Sequence, residues 1–444
     1  MNYLIKNGNI VLSDRIFKGD LFICNGKISE ISSHIKPYDN VINVDAEDRY
    51  VIPSGIDAHV HMKLYTPAGF SSDDFYSGSI AAYLGGTTSF IDFVTPDKNE
   101  SLIKAIEKRF IDSQTSMCDY ALHMSITAWN ESVSEEMEQC VKQYGIHSFK
   151  TYLAYKGIIG IDYNELEKVM LKAKSLNTLV TVHCEDGDEI IKRQKEFLQN
   201  GKSTPLFHAL SRTSEVESNA VKRVIELAEK TGCTTYIVHT SSAESIKYIA
   251  NAQKKGLKVI AETCPQYLIL DDRVYEKSTE ESLKYIISPP IRKKQDSEAL
   301  WTALKNRNVS VVATDHCPFN TKGQKDIGIS DFTKIPNGAG GIEHRLALLF
   351  TFGVLNNKIS LFDWVELCST NPAKLFGLYP RKGNLNPGSD ADIVIWNPRI
   401  ESTISKNTHH QNCDSNIYEG LKIKGQAETV FHKGEMVVNK GKLY

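Results

Sequence analysis

No run in this 444-residue chain approaches the roughly 20 apolar residues that a membrane-spanning helix requires, so no such span is expected. The opening MNYLIKNGNIVLSDR breaks its apolar stretch at Lys6, Asn7 and Gly8, which fits neither a signal peptide nor an anchor. A surplus of cations is missing too. Lys and Arg number 52 against 54 Asp and Glu, and a formal charge of −2 argues against a nucleic-acid binder. The nine cysteines form no CxxC pair and their total is odd, so a disulfide framework is not expected and reduced thiols in a cytoplasm are. Low-complexity segments and sequence repeats are absent as well. What is present is a globular composition, 41% hydrophobic and 24% charged, which excludes disorder for the bulk of the chain. At about 100–200 residues per domain, the length allows several domains or one large barrel with a satellite.

The two ends of the chain resemble each other and differ from the middle. YLIKNGNIVL, DLFICNGKISEI and VINVDAEDRYVI read as short strands, and Asn7-Gly8 and Asn25-Gly26 carry the residue pair favoured in type I′ hairpins. ADIVIWNP and the Gly-punctuated tail repeat that style. We therefore expect one small β domain built from residues 1–52 and 380–444, with a larger unit, 53–379, inserted between. In that unit eight apolar or β-branched runs end at SGIDAHVH, TTSFIDFV, YALHMSIT, IHSFKTYL, TLVTVHCE, TTYIVHTS, LKVIAETC and VSVVATDH. Amphipathic stretches such as 165–175 and 217–230 alternate with them. Eight strand-then-helix units predict an α/β fold, a (β/α)8 TIM-like barrel; the competing reading is a doubly wound open sheet. The Gly-, Lys- and Asp-rich stretch 320–341 predicts an active-site loop.

Barrel enzymes keep their chemistry at the C-terminal ends of the strands. There this sequence places His59, His61, Lys150, His183, His239 and Asp315. His59 and His61 are two apart, so a strand points both imidazoles the same way, the arrangement that grips one metal. A single strand-end histidine is more often a core residue, but the cluster favours a metal site. Lys150 is the odd member, because an ammonium cannot ligate a cation and is repelled by it. Either it is a plain surface or ion-paired lysine, or it has reacted with CO2 to form a carbamate, whose charge is reversed and whose two oxygens could bridge two metals. Spacing alone leaves both open.

The set VIPSGIDAHVHM, SFKTYLAYKG, LVTVHCED, YIVHTSS and ATDHCPF resembles the amidohydrolase superfamily. With SSDDFYSG, ETCPQYL, SPPIR, DFTKIPNGAGGIEHR, NPAKLFGL and THHQNCDSNIYEG, the chain is most similar to dihydropyrimidinases and hydantoinases, with allantoinase and dihydroorotase as cousins. The resemblance implies a barrel flanked by a β-sandwich and a site with two divalent metals, usually zinc, with manganese an alternative. Carried over, His59, His61 and Asp315 hold one metal, His183 and His239 the other, and carbamylated Lys150 bridges them. Asp315 would serve as general base and then general acid. Tyr155 matches the tyrosine that stabilises the oxyanion, and Ser288 and Asn337 match residues whose backbone groups read the ring edge. The implied reaction opens a cyclic ureide or imide at its amide bond, giving an N-carbamoyl amino acid, in a homotetramer.

One departure from the family pattern leaves alternatives. Lys63 stands where dihydroorotases carry a carboxylate-pairing arginine; it is either a reader of an anionic substituent or a loop side chain, and we expect the latter. Allantoinase or dihydroorotase activity is the competing function. A non-catalytic dihydropyrimidinase-like assembly protein is the other, but such proteins have lost ligands that are all present here. Leu64, Tyr65, Tyr152 and Ile159 are the candidates for side-chain selectivity. His409-His410 and the ligand-adjacent Cys184 and Cys317 are expected to be structural.

Overall fold

The computed structural model describes residues 1–444. Strands β1 (Tyr3–Val11), β2 (Ile16–Cys24), β3 (Lys27–Ser32), β4 (Ile42–Asp45) and β5 (Tyr50–Pro53) come from the N-terminal segment. Asn25 and Gly26 turn β2 into β3 with φ of 51° and 76°, the two positive values of a type I′ turn. Asn7-Gly8 does not form a hairpin. It is an irregularity inside the continuous strand β1, where the register against β2 shifts between Ile5 and Gly8. Asn7 takes φ 62° and its N–H donates to Asp20 Oδ1 at 2.9 Å, while a Cβ on Gly8 would stand 2.5 Å from Val51 Cγ2. The same residue pair that suits a tight turn also suits a bulge, and the neighbouring strand β5 decides between them.

The inserted unit supplies β6 (Gly55–Val60), the small hairpin β7 (Tyr65–Thr66) and β8 (Gly69–Phe70), and then β9 (Thr87–Val94), β10 (Asp119–Ser125), β11 (Ser148–Tyr152), β12 (Leu179–His183), β13 (Thr234–Ile237), β14 (Val259–Thr263) and β15 (Val311–Val312). Strands β6 and β9 to β15 form an eight-stranded sheet in sequential order. The last joins the first: Val60 bridges His316 in parallel, and the His61 N–H donates to the His316 carbonyl at 2.8 Å. That closure excludes the open doubly wound sheet, whose strand order reverses at a switch point. Every residue of β6, β9, β11 and β12 is buried, as strands covered on both faces must be. The expected helices are present as Tyr163–Ser175 and Ser214–Thr231. The stretch 320–341 is not structureless, since it holds two 3-10 turns, Lys325–Gly328 and Phe332–Lys334.

The chain then returns to the first sheet through β16 (Ile393–Thr403), β17 (Lys422–His432), β18 (Glu435–Asn439) and β19 (Lys442–Leu443), with β16 pairing β5. Side-chain alternation gives this sheet two buried faces. Ile393 and Ile395 join a small core with Tyr3, Ile5, Leu21 and Phe431, whereas Val394 and Trp396 pack into the large core shared with the barrel's helices. No helix is long and apolar enough to cross a membrane.

Candidate functional site

His59 lies near the end of β6 and His61 just beyond it, and their ring centroids are 5.2 Å apart. Asp315 follows β15, the strand that closes against β6. Its Oδ1 stands 3.2 Å from His59 Nε2 and 3.2 Å from His61 Nε2. A tetrahedral ion with ligands at about 2.0–2.1 Å separates its donors by about 3.3 Å, so these contacts have chelate spacing. His59 Nε2 has no hydrogen-bond partner of its own although it is buried.

The second pair sits on the neighbouring side of the mouth. His183, the last residue of β12, turns Nδ1 toward His239 Nε2 at 3.0 Å, and the His239 ring lies 5.5 Å from that of His59. Burial lowers the pKa of His61, His183 and His239, which keeps these imidazoles neutral, the form that ligates metals. His59 behaves differently. Burial opposes its charge, but Glu262 and then Asp315 outweigh that and raise it to about 9. The Asp315 carboxyl is held well below the usual range because His59 and His61 outweigh its burial.

Lys150 is neither a surface lysine nor an ion-paired one. It is 1% exposed in the middle of β11, with Nζ 4.9 Å from the Phe93 ring centre and 5.0 Å from that of Tyr152. Burial brings its pKa down to about 8, against the pull of Asp315 and Glu262. Phe93 also lies 4.7 Å from the ring of His59 and 4.6 Å from that of His61, forming the floor on which the cluster rests.

Tyr155 stands over the second pair, its ring 5.5 Å from that of His183. Burial raises the pKa of its hydroxyl, beside which lie the side chains of Ser288 and Asn337. The backbone N–H and C=O of Ser288 and Asn337 make no hydrogen bond within the protein. The Ser288 Oγ is likewise buried without a partner. Three of these mouth residues hold backbone in the left-handed region: Tyr155 at φ 57°, His239 at 36° and Asp315 at 54°. Such strain costs of order 1–3 kcal/mol per residue and concentrates where function fixes the geometry.

Two carboxylates escaped the sequence reading. Glu262, in β14, accepts from His59 Nδ1 at 2.8 Å and from the His239 N–H at 2.9 Å with one oxygen, and from the Tyr236 hydroxyl at 2.8 Å with the other. It therefore fixes the His59 ring with Nε2 facing Asp315, and the same group ties the two histidine pairs together. Glu185 does the same for His183, accepting from Nε2 at 2.7 Å and from Arg212 at 2.6 Å. Against its burial, Arg212 and His183 lower Glu185 to about 2. The available signal was a carboxylate inside, or two residues past, a strand buried on both faces, a place charged residues avoid unless they are paired.

Of the remaining candidates, Tyr152 borders this cluster, its ring centre 6.1 Å from that of His183. The Lys63 ammonium pairs with Asp112 Oδ1 at 2.6 Å, on the helix Leu102–Ser113. Tyr65 is exposed on the β7–β8 hairpin, Leu64 and Ile159 are partly buried, and Tyr152 is buried beneath Lys150. His410 binds Glu343 and His409 Nε2 donates to the Cys413 carbonyl, both holding the C-terminal segment in place. Cys184 and Cys317 are buried free thiols.

Comparison with known proteins follows the same lines. The Amidohydrolase family profile matches residues 50–437. A D-hydantoinase of Geobacillus stearothermophilus is 43% identical over 439 residues, 99% of this chain and 93% of the relative. A dihydropyrimidinase of Arabidopsis thaliana is 41% identical over 435 residues, 98% of this chain and 82% of the relative. The crystal structure of a dihydropyrimidinase from Brevibacillus agri superposes with a TM-score of 0.98 at 41% identity, covering 100% of this chain and 96% of the other.

Proposed function

The chain belongs to the amidohydrolase family as a cyclic amide hydrolase of hydantoinase and dihydropyrimidinase type, and from that premise we propose that it opens dihydropyrimidine or hydantoin rings with two divalent cations at the barrel mouth. The observation that carries this reading is convergence. His59, His61 and Asp315 aim ligand atoms at one point, and His183 and His239 face each other beside it. His59, His61 and Asp315 would hold the first cation. His183 and His239 would hold the second, with zinc the first choice and manganese an alternative for such donors.

Two imidazoles leave the second cation short of ligands, and Lys150 is the group placed to supply more. With its pKa near 8, part of the amine is uncharged at neutral pH and can add to CO2. The carbamate so formed would have lost a proton and would offer oxygen ligands in place of an ammonium. Cations held by these residues would supply Lewis acidity to the ring carbonyl and a water of lowered pKa.

The protein's own groups do the rest. Asp315 takes the proton of the attacking water and returns it to the leaving ring nitrogen. The Tyr155 hydroxyl, kept protonated by burial, donates to the developing oxyanion. The free backbone groups of Ser288 and Asn337 pair with the donor and acceptor edge of the ring. Oxygen from water ends on the acyl carbon, the ring C–N bond breaks, and the product is an N-carbamoyl amino acid.

The test is a ring-opening panel with metal-loaded, bicarbonate-treated protein: dihydrouracil, hydantoin, 5-phenylhydantoin, allantoin and dihydroorotate. Turnover of the first three is expected, with two metals per chain by elemental analysis. Activity confined to the last two would sink the reading. Because Lys63 is already paired with Asp112, Lys63→Ala is expected to leave turnover of neutral rings within about twofold, as loss of a half-exposed ion pair should. The homotetramer implied by the resemblance is read in the same preparation by light scattering.

A further inference from the structure

The loops at the mouth contain a second buried lysine that this chemistry does not use. Lys325 opens the short turn Lys325–Gly328 and is 1% exposed, yet no carboxylate pairs with it. Its Nζ donates to two main-chain carbonyls, that of Ile286 at 2.8 Å and that of Pro336 at 3.0 Å. The first lies two residues before Ser288 and the second immediately before Asn337. Burial brings the amine down to a pKa of about 7. A buried amine without a counter-charge is a costly way to fill space that a methionine could fill. Both the ammonium and the neutral amine carry at least two N–H donors, so the two bonds hold in either protonation state.

Each of the two segments is also fixed to other parts of the fold. The Ser288 segment is pinned at several points: His208 Nε2 donates to Ile287 O at 2.8 Å, the Tyr267 hydroxyl to Pro289 O at 2.7 Å and the Tyr275 hydroxyl to Tyr285 O at 3.0 Å. The Asn337 segment is pinned by the Cys317 N–H, which donates to Ala339 O at 2.9 Å, and is tied to the Ser288 segment by the Gly338 N–H, which donates to Ile286 O at 3.0 Å, and by Lys325. Lys325 is thus the side chain that spans the gap.

We propose that Lys325 is a positioning residue that sets the separation between the Ser288 and Asn337 segments, and with it the slot that reads the amide edge of the ring. The inference rests on the reading that those two backbones contact substrate. It concerns ring binding rather than bond breaking, so its signature is a split between KM and kcat.

The experiment compares wild-type and Lys325→Met holoenzymes, both metal-loaded, by hydrogen–deuterium exchange of peptides covering 284–291 and 334–341 and by steady-state kinetics on dihydrouracil. Expected in the variant are exchange in both peptides faster by tenfold or more, KM raised about tenfold, kcat changed less than threefold and unchanged metal content. Should the methionine variant not accumulate, Lys325→Gln, which keeps an amide donor in the same space, carries the same expectation at smaller size. Unchanged exchange overturns the staple. Faster exchange with an unmoved KM overturns the positioning role, and so does a fall in kcat or metal content at constant KM. Exchange is read without substrate, so wild-type silence on every ring counts against the proposed function while the exchange comparison still decides the staple.

Discussion

Glu262 shows what one buried carboxylate can organise. It receives three hydrogen bonds, from His59, from the His239 backbone and from Tyr236, and by them fixes which His59 nitrogen faces the cluster. In Glu262→Gln one of the two oxygens becomes an NH2 group, so either His59 or Tyr236 loses its acceptor. The charge that holds His59 at about 9 goes as well. Losing such an orienting partner typically weakens metal affinity or activity by about 10–100-fold, and chelator competition on the variant should show a drop of that size with the fold intact. An unchanged affinity would mean that Asp315 and the backbone alone orient His59.

At the scale of elements, several barrel helices begin at explicit side-chain caps. The helix Tyr163–Ser175 begins at Asp162, whose side chain accepts from the Glu165 N–H at 2.8 Å, while Glu165 reaches back to the Asp162 N–H at 3.0 Å. Glu165 also accepts from the Trp129 N–H at 3.2 Å, tying this capping box to the loop after β10. Asp162→Ala is expected to destabilise the protein by about 1 kcal/mol in urea unfolding while leaving kcat unchanged, because the Asp162 side chain bonds only the Glu165 N–H of its own helix and no residue of the site. A loss of activity without a loss of stability would contradict that division.

Over the whole molecule, the terminal sheet is joined to the barrel's opposite end by one buried cation. Lys382 is 2% exposed and pairs with Asp119 at 2.6 Å at the start of β10, with Asp390 at 3.3 Å and with Asp392 leading into β16. Asp119, Asp392 and His432 have metal-ligand spacing, but this ammonium already neutralises the carboxylates, so the cluster is an ion-pair latch. Lys382→Met would leave the buried Asp392 without a cation, while Asp119 keeps Lys433 and Asp390 keeps Lys27, a change expected to cost about 3–5 kcal/mol in denaturant unfolding. Burial alone would raise the Asp119 pKa; His432, Lys382 and Lys433 reverse this and hold it well below the usual value. Its contribution is therefore complete above about pH 4 and is lost as the pH falls further toward the lowered folded value. Melting temperatures of wild type and Asp119→Asn should accordingly differ most at neutral pH and converge below about pH 4.

By itself the sequence determined the eight strands of the barrel, the derivation of the second sheet from both termini, and the histidines and aspartate at the strand ends. These are local properties: a β-branched run bounded by turns is a strand in almost any packing, and a period of two fixes which side chains share a face. Tertiary structure decided whatever depends on a neighbour distant in sequence. Val51 made Asn7-Gly8 a bulge rather than a hairpin, and Asp112 holds the Lys63 ammonium in an ion pair. Complete burial beside Phe93 and Tyr152 brought the Lys150 pKa down to about 8 and removed the surface-lysine reading that spacing had left open. Glu262, Glu185 and Lys325 became legible only once the chain had closed, because a buried charge is defined by what surrounds it, and those surroundings come from strands and loops far apart in the sequence.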